Sequence, residues 1–359
     1  MSVFYKSMVR RAVALMALAI VSVLALGGFA LTSFGAAQTI EPHISFVLAT
    51  GSTGGTYFPV GQAIAEIISH PPGVTRCDTI DACGPPGLIA STRSSLGSVA
   101  NLLDVNAGRA DSGLAQSDIV AEAIAGAGDF RSQGPLKHVR MIADLFPEEV
   151  HLVAARASQI RTVSDLKGKR VALGAKGSGS AITAREILAA YRVPERRVKI
   201  VDDAPESAAR ELESGNIDAF FFVGGAPVEF INGLIQSGKA VLVPIDGAGR
   251  DRLLYEHPGM SIETIESDDY PGLANSVGTI GVHAVWIVNE NEPTNLVYRI
   301  TKALFSPANR ELLYAAHPSA RAIRAFSATR VVPAPLHPGA QRYYHEIGAS
   351  LTAQPLHGN

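Results

Sequence analysis

Short apolar runs alternate with amphipathic stretches along most of this chain, and this alternation predicts the fold class. The runs predict β-strands at 46–49, 139–143, 150–154, 169–174, 198–201, 218–223 and 241–244. Helical periodicity predicts a helix from Tyr57 and further helices at 180–191, 207–214 and 227–236. Because strands that alternate with helices are typical of βαβ units, we expect an α/β fold whose parallel sheets are covered on both faces.

The C-terminal part adds a longer strand-like run at 277–288, which is too rich in β-branched residues for a simple peripheral strand. Three more helices are predicted at 293–304, 308–316 and 339–347, and the last ends before Gly348, a typical C-cap residue. The length of 359 residues favours two domains of about 150 residues each.

The N-terminal residues, 1–37, are typical of an export signal. Lys6, Arg10 and Arg11 precede an uncharged apolar run at 12–31, and small residues follow it. The run is longer than the usual signal core of about 7–15 residues, so an uncleaved membrane anchor at 12–31 is the alternative to a cleaved signal. In either case we expect the rest of the chain in the periplasm.

The charge balance limits the partners that the chain can have. It carries 31 Lys and Arg residues against 33 Asp and Glu residues, so it has no basic field of the kind that binds nucleic acid. Nucleic acid is therefore not an expected partner.

The two cysteines, Cys77 and Cys83, stand close together in one loop. In an oxidising compartment, so local a pair is most simply a disulfide. Metal binding is the alternative, but the second ligand pair of a zinc site is missing from the loop. We therefore expect a disulfide and no metal site.

Three strand-to-helix turns, at 50–56, 174–181 and 224–227, are rich in Gly, Ser, Thr or Ala. The first backbone N–H groups of a helix have no intrahelical partner, and each helix N-terminus carries roughly +0.5 charge, so such turns can bind anions. In open α/β sheets, ligands lie beyond the carboxyl ends of the strands. The turns therefore predict a carboxylate site with little formal positive charge, although an ordinary β–α turn is the alternative for any one of them.

A fourth polar segment adds side chains to this predicted site. Ser98 and Asn101 are three residues apart and share one face of a predicted helix. Gln116 follows a short apolar run, where a strand would end. Asp118 belongs either to this group or to the N-cap of the next helix.

No catalytic constellation is found in the sequence. The ten histidines are scattered, and none forms an H-x-x-x-H or H-E-x-x-H arrangement. Glu148 and Glu149, directly after Pro147, are interpreted as a solvated turn rather than a catalytic pair. We therefore expect a protein that is not an enzyme and needs no cofactor, with an enzyme of amino-acid or phosphate metabolism as the less favoured alternative.

Segments in order along nearly all of the mature chain resemble the TAXI family, the extracytoplasmic solute-binding subunits of TRAP transporters. The matching segments are ATGSTGGTYFPVGQ at 49–62, CGPPGLI at 83–89, GSVANL at 97–102, QSDI at 116–119, DLFPEEVHLVA at 144–154, DLKGKRVALGAKGSGSA at 165–181, AFFFVGGAPV at 219–228, GTIGVHAVWIV at 278–288 and HPGAQRYYHEIGA at 337–349. Their order makes the resemblance more specific than any single motif.

The resemblance implies a type II periplasmic-binding-protein fold, in which two α/β lobes enclose the ligand. It implies that 44–148 and 280–348 form one lobe and 149–279 the other, with chain crossings at 149–155 and 279–287. It also implies a separate TRAP membrane permease as partner and a small anionic solute, such as glutamate, glutamine or a dicarboxylate. A membrane-anchored ligand-sensing protein of the same fold is the alternative.

The expected ligand-binding residues come from both lobes. They are Ser52, Gly55, Thr56 and Tyr57 from one lobe, Ser178, Gly179, Ser180 and Ala226 from the other, and Ser98, Asn101 and Gln116 at the distal end. Arg93 and Lys176 are the only cations near these segments. We therefore expect the solute to be held mainly by neutral donors.

Overall fold

The computed structural model describes residues 43–72, 77 and 82–350. The predicted export signal at 1–37, with the alternative anchor at 12–31, lies outside the described residues. Of the helices in the described part of the chain, none combines the length and apolar character that a membrane crossing requires.

The described strands join in one ten-stranded sheet. They are β1 Ile44–Ala49, β2 Leu88–Arg93, β3 Ser112–Gln116, β4 Val139–Ala155, β5 Arg170–Ala172, β6 Lys199–Val201, β7 Ala219–Gly224, β8 Ala240–Leu242, β9 Ser261–Ile265 and β10 Val277–Asn289. Their order is β2-β1-β3-β10-β4-β7-β5-β6, with β8 paired to β4 and β9 paired to β10. The predicted parallel pairing is found for β1 with β2 and β3 and for β5 with β6 and β7. The pairs formed by β4 and β10 are antiparallel, so the sheet as a whole is mixed.

The described α-helices cover the sheet and match the predicted helices closely. They are α1 Tyr57–Ile68, α2 Ser98–Asn106, α3 Ser117–Ala125, α4 Gly179–Ala190, α5 Pro205–Glu213, α6 Glu229–Gln236, α7 Gly247–Glu256, α8 Thr294–Leu304, α9 Arg310–Ala316 and α10 Pro338–Glu346. Sequence analysis did not predict α7, because its glycine-rich and charged start lacks a clear apolar period.

The predicted strands at 139–143 and 150–154 are one continuous strand, β4. Its antiparallel partner β10 pairs with it from Val139 to Glu149 and places His283 opposite Pro147, while β7 pairs with it from Glu149 to Ala154. Proline has a fixed φ that suits extended chain, and this ladder keeps the strand extended through it. The predicted turn at Pro147 is therefore wrong.

The strands β4 and β10 each contribute to more than two of the four hydrophobic cores of the described residues, and two of these cores distinguish the lobes. On β4, Phe146 packs in one core and Val150 in the other, while on β10 Trp286 packs with Phe146 and Val282 packs with Val150. The fold is therefore two-lobed, as predicted, with lobe 1 on the Phe146 side and lobe 2 on the Val150 side. The residue boundaries given for the lobes stay a prediction.

The structure contains the predicted disulfide between Cys77 and Cys83, whose Cα atoms lie 5.8 Å apart. This separation is inside the usual range of about 4.4–6.8 Å for disulfides.

We expect thiol titration of the denatured, unreduced protein, exported to the periplasm, to find essentially no free thiol. After reduction the same sample should show two thiols, because Cys77 and Cys83 are the two cysteines of the sequence. Two titratable thiols before reduction would show that the pair is not oxidised in the exported protein.

Candidate functional site

A cavity lies between the lobes, at the carboxyl ends of β1, β3 and β5 and beside β7. It is lined by Gly51, Ser52, Gly55, Thr56, Tyr57, Ser95, Leu96, Gly97, Ser98, Gln116, Glu148, Gly174, Ala175, Ser178, Gly179, Ser180, Ala204, Pro205, Phe221, Phe222 and Val223. Its volume is about 90 Å³. A water molecule needs about 10–15 Å³ by this measure, so the cavity has room for several waters or a small solute.

Two of the predicted helix starts meet at this cavity, one from each lobe. Helix α1 begins at Tyr57 and helix α4 at Gly179, and both residues line the cavity. The side chain of Ser178 caps α4 by accepting a hydrogen bond from the N–H of Ala181. The N–H groups of Gly179 and Ser180 have no acceptor within the helix, so they remain available to an anion.

The third predicted helix start, at Gly224 to Pro227, does not reach the cavity as a helix. Helix α6 begins at Glu229, and the N–H of Ala226 donates to Glu149 Oε2 at 3.0 Å. Residues at the starts of α2 and α5, Ser98 and Pro205, line the cavity instead. The prediction that Pro227 begins a helix at the site is therefore wrong.

Nine of the eleven predicted ligand-binding residues line the cavity. They are Ser52, Gly55, Thr56, Tyr57, Ser98, Gln116, Ser178, Gly179 and Ser180. Asn101 and Ala226 are not in the lining. Whether the nine residues bind a solute remains a prediction.

Asn101 has a structural role, because its side-chain amide is bonded to other groups of the protein. Its fully buried Nδ2 group donates to the carbonyl oxygen of Thr50 at 2.5 Å and to that of Leu114 at 2.7 Å. Its Oδ1 atom accepts from Ser95 Oγ at 2.6 Å. These bonds join the ends of β1 and β3, so the amide is not free for a solute.

The two cations that the sequence places near the site lie outside the lining. Arg93 pairs with Asp104 at 2.5 Å, and Lys176 is exposed. Among the described residues that line the cavity there is no Lys, Arg or His. A carboxylate in this cavity would therefore be held by backbone N–H groups and hydroxyls.

Glu148 lines the cavity, and sequence analysis misjudged it. Its side chain is 1% exposed, and its Oε2 atom accepts a hydrogen bond from the hydroxyl of Tyr57 at 2.7 Å. Burial raises the pKa of Glu148 to about 8, although the bond from Tyr57 acts in the opposite direction. The interpretation of this residue as part of a solvated turn is wrong. The period-two face that Glu148 shares with Phe146 and Val150 was the signal for its burial.

The lobes touch each other across the cavity. Thr56 Oγ1 donates to the carbonyl oxygen of Gly225 at 3.0 Å, and Gln116 Nε2 donates to Thr183 Oγ1 at 3.2 Å. In each pair the first residue belongs to the lobe-1 side and the second to the lobe-2 side. The two lobes are therefore in contact beside the cavity, and we call this arrangement the closed form.

Two acidic side chains of α3, Asp118 and Glu122, lie close enough to Glu186 of α4 to raise its pKa, and we call the three the carboxyl cluster. Burial raises the pKa of Asp118 to about 7 and that of Glu186 to about 9, and the nearby carboxyls add to both shifts. His257 Nδ1 lies 3.3 Å from Glu186 Oε1, but burial lowers the pKa of this histidine. The histidine therefore does little to hold a charge on Glu186.

We expect Glu186→Gln to stabilise the protein above neutral pH and to change little near pH 4.5. The folded-state pKa of Glu186 is raised above its ordinary value of 4.5, so the wild-type free energy of unfolding falls as the pH rises from about 4.5 to about 9. The gain at pH 7.5 should reach at least about 1.4 kcal/mol, which is the equivalent of one pKa unit. Denaturant unfolding at several pH values measures it.

The control for this prediction is Glu195→Gln, since the Glu195 side chain is half exposed. It should give no pH-dependent gain. An equal effect of Glu186→Gln at pH 5 and pH 8 would contradict the prediction.

Within the described part of the chain, no group of three or more His, Cys, Asp or Glu side chains is placed to hold a metal ion. The two-lobed α/β fold, with its cavity between the lobes, is the fold of periplasmic binding proteins. The chain belongs to the NMT1-like family, whose sequence profile matches residues 48–348.

Two solved structures illustrate the likeness of fold. MatC from Rhodopseudomonas palustris, solved with bound malate, is 15% identical with a TM-score of 0.52, and the match covers 85% of this chain and 96% of MatC. A protein from Bordetella bronchiseptica RB50 is 16% identical with a TM-score of 0.51, and the match covers 86% of this chain and 99% of that protein. At these identities the likeness concerns the fold.

Proposed function

We propose that this protein is the periplasmic solute-binding receptor of a TRAP transporter of the TAXI type. It captures a small carboxylate-bearing solute between its lobes and delivers the solute to a separate membrane permease. In this proposal, residues 44–148 and 280–348 form lobe 1 and residues 149–279 form lobe 2. The family, the two-lobed fold and the cavity lined by residues of both lobes support it.

The observation that carries the proposal is the meeting of helix starts from opposite lobes at one cavity without a cation in its described lining. Helix N-termini attract anions through their free N–H groups and the helix dipole. A carboxylate near Tyr57 and Gly179 would contact α1 and α4 together. It would thereby stabilise the closed form through contacts that an open form lacks.

The lining favours a small solute that is held by neutral donors. The hydroxyls of Ser52, Ser178 and Ser180 line the cavity, while Phe222 adds an apolar wall. Loss of one neutral hydrogen bond should cost about 0.5–1.5 kcal/mol, and about 1.5–3 kcal/mol where the partner is charged. The malate in the structure of MatC makes four-carbon acids reasonable compounds to test.

A thermal-shift panel tests the proposal. The panel contains L-glutamate, L-glutamine, L-aspartate, L-malate and 2-oxoglutarate, with sugars, polyamines and the form of each compound in which every carboxylate is amidated as controls. A solute at 100 times its Kd should stabilise the folded protein by about 2.7 kcal/mol. Stabilisation by sugars or polyamines alone would refute the carboxylate class, and loss of the shift on amidation would support it.

A further inference from the structure

We propose that Glu148 binds an ammonium group of the solute, so that the captured carboxylate is an amino acid rather than an acid without an amine. This inference rests on the proposed function. It says which group of the solute is bound at the end of the cavity that faces away from the carboxylate. The helix starts of α1 and α4 take the carboxylate, and Glu148 takes the amine.

Glu148 has the geometry of a binding group rather than of a structural one. Glu148 lies within the strand β4 and lines the cavity, and its side chain is 1% exposed. Its Oε2 atom accepts from the hydroxyl of Tyr57 at 2.7 Å. Within the described residues its Oε1 atom has no hydrogen-bond donor. A buried carboxylate needs more than one donor to offset its lost hydration.

No positive charge from the described lining compensates this carboxyl. The side chains that shift the pKa of Glu148 are Tyr57 on α1, Asp118 on α3 and Glu149 on its own strand. None of these side chains is a cation. On the paired strand β10, His283 lies 2.7 Å from Asp144 Oδ1, so it is already partnered. The compensating charge must therefore be a proton or a cationic group of the solute.

Before a solute binds, the compensating group is a proton. Burial raises the pKa of Glu148 to about 8, which leaves the carboxyl neutral at pH 7. A bound ammonium supplies three N–H donors and a positive charge, so it displaces this proton. A second carboxylate at the same place would instead require Glu148 to keep its proton and donate it.

The two cases predict opposite effects of pH on affinity. Ammonium binding releases the proton of Glu148, so affinity rises as the pH rises from 6 to about 8. Carboxylate binding retains that proton, so affinity falls as the pH rises through the pKa of about 8. Calorimetry in buffers of different ionisation enthalpy counts the released protons directly.

Matched pairs of ligands isolate the amine. L-alanine and L-lactate, L-aspartate and L-malate, and L-glutamate and 2-hydroxyglutarate differ only in an ammonium against a hydroxyl. We expect the amine member of the pair that binds to be at least tenfold tighter at pH 7.5, with proton release. Glu148→Gln should abolish both the preference and the pH dependence, while Glu195→Gln, at an exposed acid on lobe 2, should change neither.

Tyr57→Phe provides a second test that keeps the carboxyl. The hydroxyl of Tyr57 stabilises the charged form of Glu148, so its loss should move the rise in affinity to higher pH while the amine preference remains. If Glu148→Gln does not fold, Tyr57→Phe and the pH dependence of the wild type test whether Glu148 binds the ammonium group.

The outcomes separate this inference from the function on which it rests. If the hydroxy acids bind as tightly as the matched amino acids, and Glu148→Gln leaves this unchanged, the assignment of Glu148 is refuted while the receptor for carboxylates stands. If no member of any pair binds and only unrelated solutes do, both proposals fall.

Discussion

Gly179→Val should lower the affinity for the solute roughly 10- to 100-fold while leaving the fold intact. Gly179 is the first residue of α4, on lobe 2, and a Cβ atom there would overlap the side chain of Gln116 and lie 2.9 Å from Ser98 Oγ. Both contacts belong to lobe 1, so the added side chain obstructs the closed form only. Overpacking of this kind costs about 1–3 kcal/mol, and each 1.4 kcal/mol is about tenfold in affinity.

The matched control for this variant is Gly278→Val. Gly278 lies in β10, and its added Cβ would meet no atom within 4 Å, so its affinity should match the wild type. Isothermal titration measures affinity, and circular dichroism verifies the fold of both variants. Equal affinity of Gly179→Val and wild type would show that the solute does not need the closed form seen here.

Trp286→Ala should lower the free energy of unfolding by about 3–5 kcal/mol, the cost of truncating a large core aromatic. Trp286 is fully buried on β10 and packs with Phe146 in the core of lobe 1. Its indole Nε1 atom is buried and has no hydrogen-bond partner among the described residues. Trp286→Phe should therefore cost much less than the alanine variant, because it removes an unsatisfied donor together with part of the ring.

Chemical denaturation followed by circular dichroism measures both changes. Trp286 is the one tryptophan in the sequence, so fluorescence would lose its signal in the variants. Equal losses for the phenylalanine and alanine variants would show that the indole nitrogen has a favourable partner in solution.

The local parts of the fold and of the site were predictable from the sequence. The strand, glycine-rich turn and helix around Thr56, and the same succession around Ser178, are set by short-range rules of apolar period, turn chemistry and capping. The same rules predicted most of the residues that line the cavity, because side chains at the ends of adjacent parallel strands lie close together. Burial of Asn101 among backbone carbonyls depends instead on β1 and β3 meeting, which a local pattern does not show.

The missed features depend on pairing between distant segments. Pro147 looks like a turn in sequence, but β10 pairs along both sides of it and keeps β4 extended. This pairing turns Glu148 from an apparent surface acid into a buried group at the cavity. Likewise, the bond from the N–H of Ala226 to Glu149 holds the segment before α6 away from a helical conformation at the site.

The central claim is that the two lobes close on a carboxylate solute held between them. Small-angle X-ray scattering of the purified protein, without and with the acid that gives the largest thermal shift, tests it most directly. The account predicts that the radius of gyration falls on binding and that the bound profile matches the closed structure, whereas Gly179→Val stays expanded at the same ligand concentration. Tight binding with a scattering profile that does not change would contradict it.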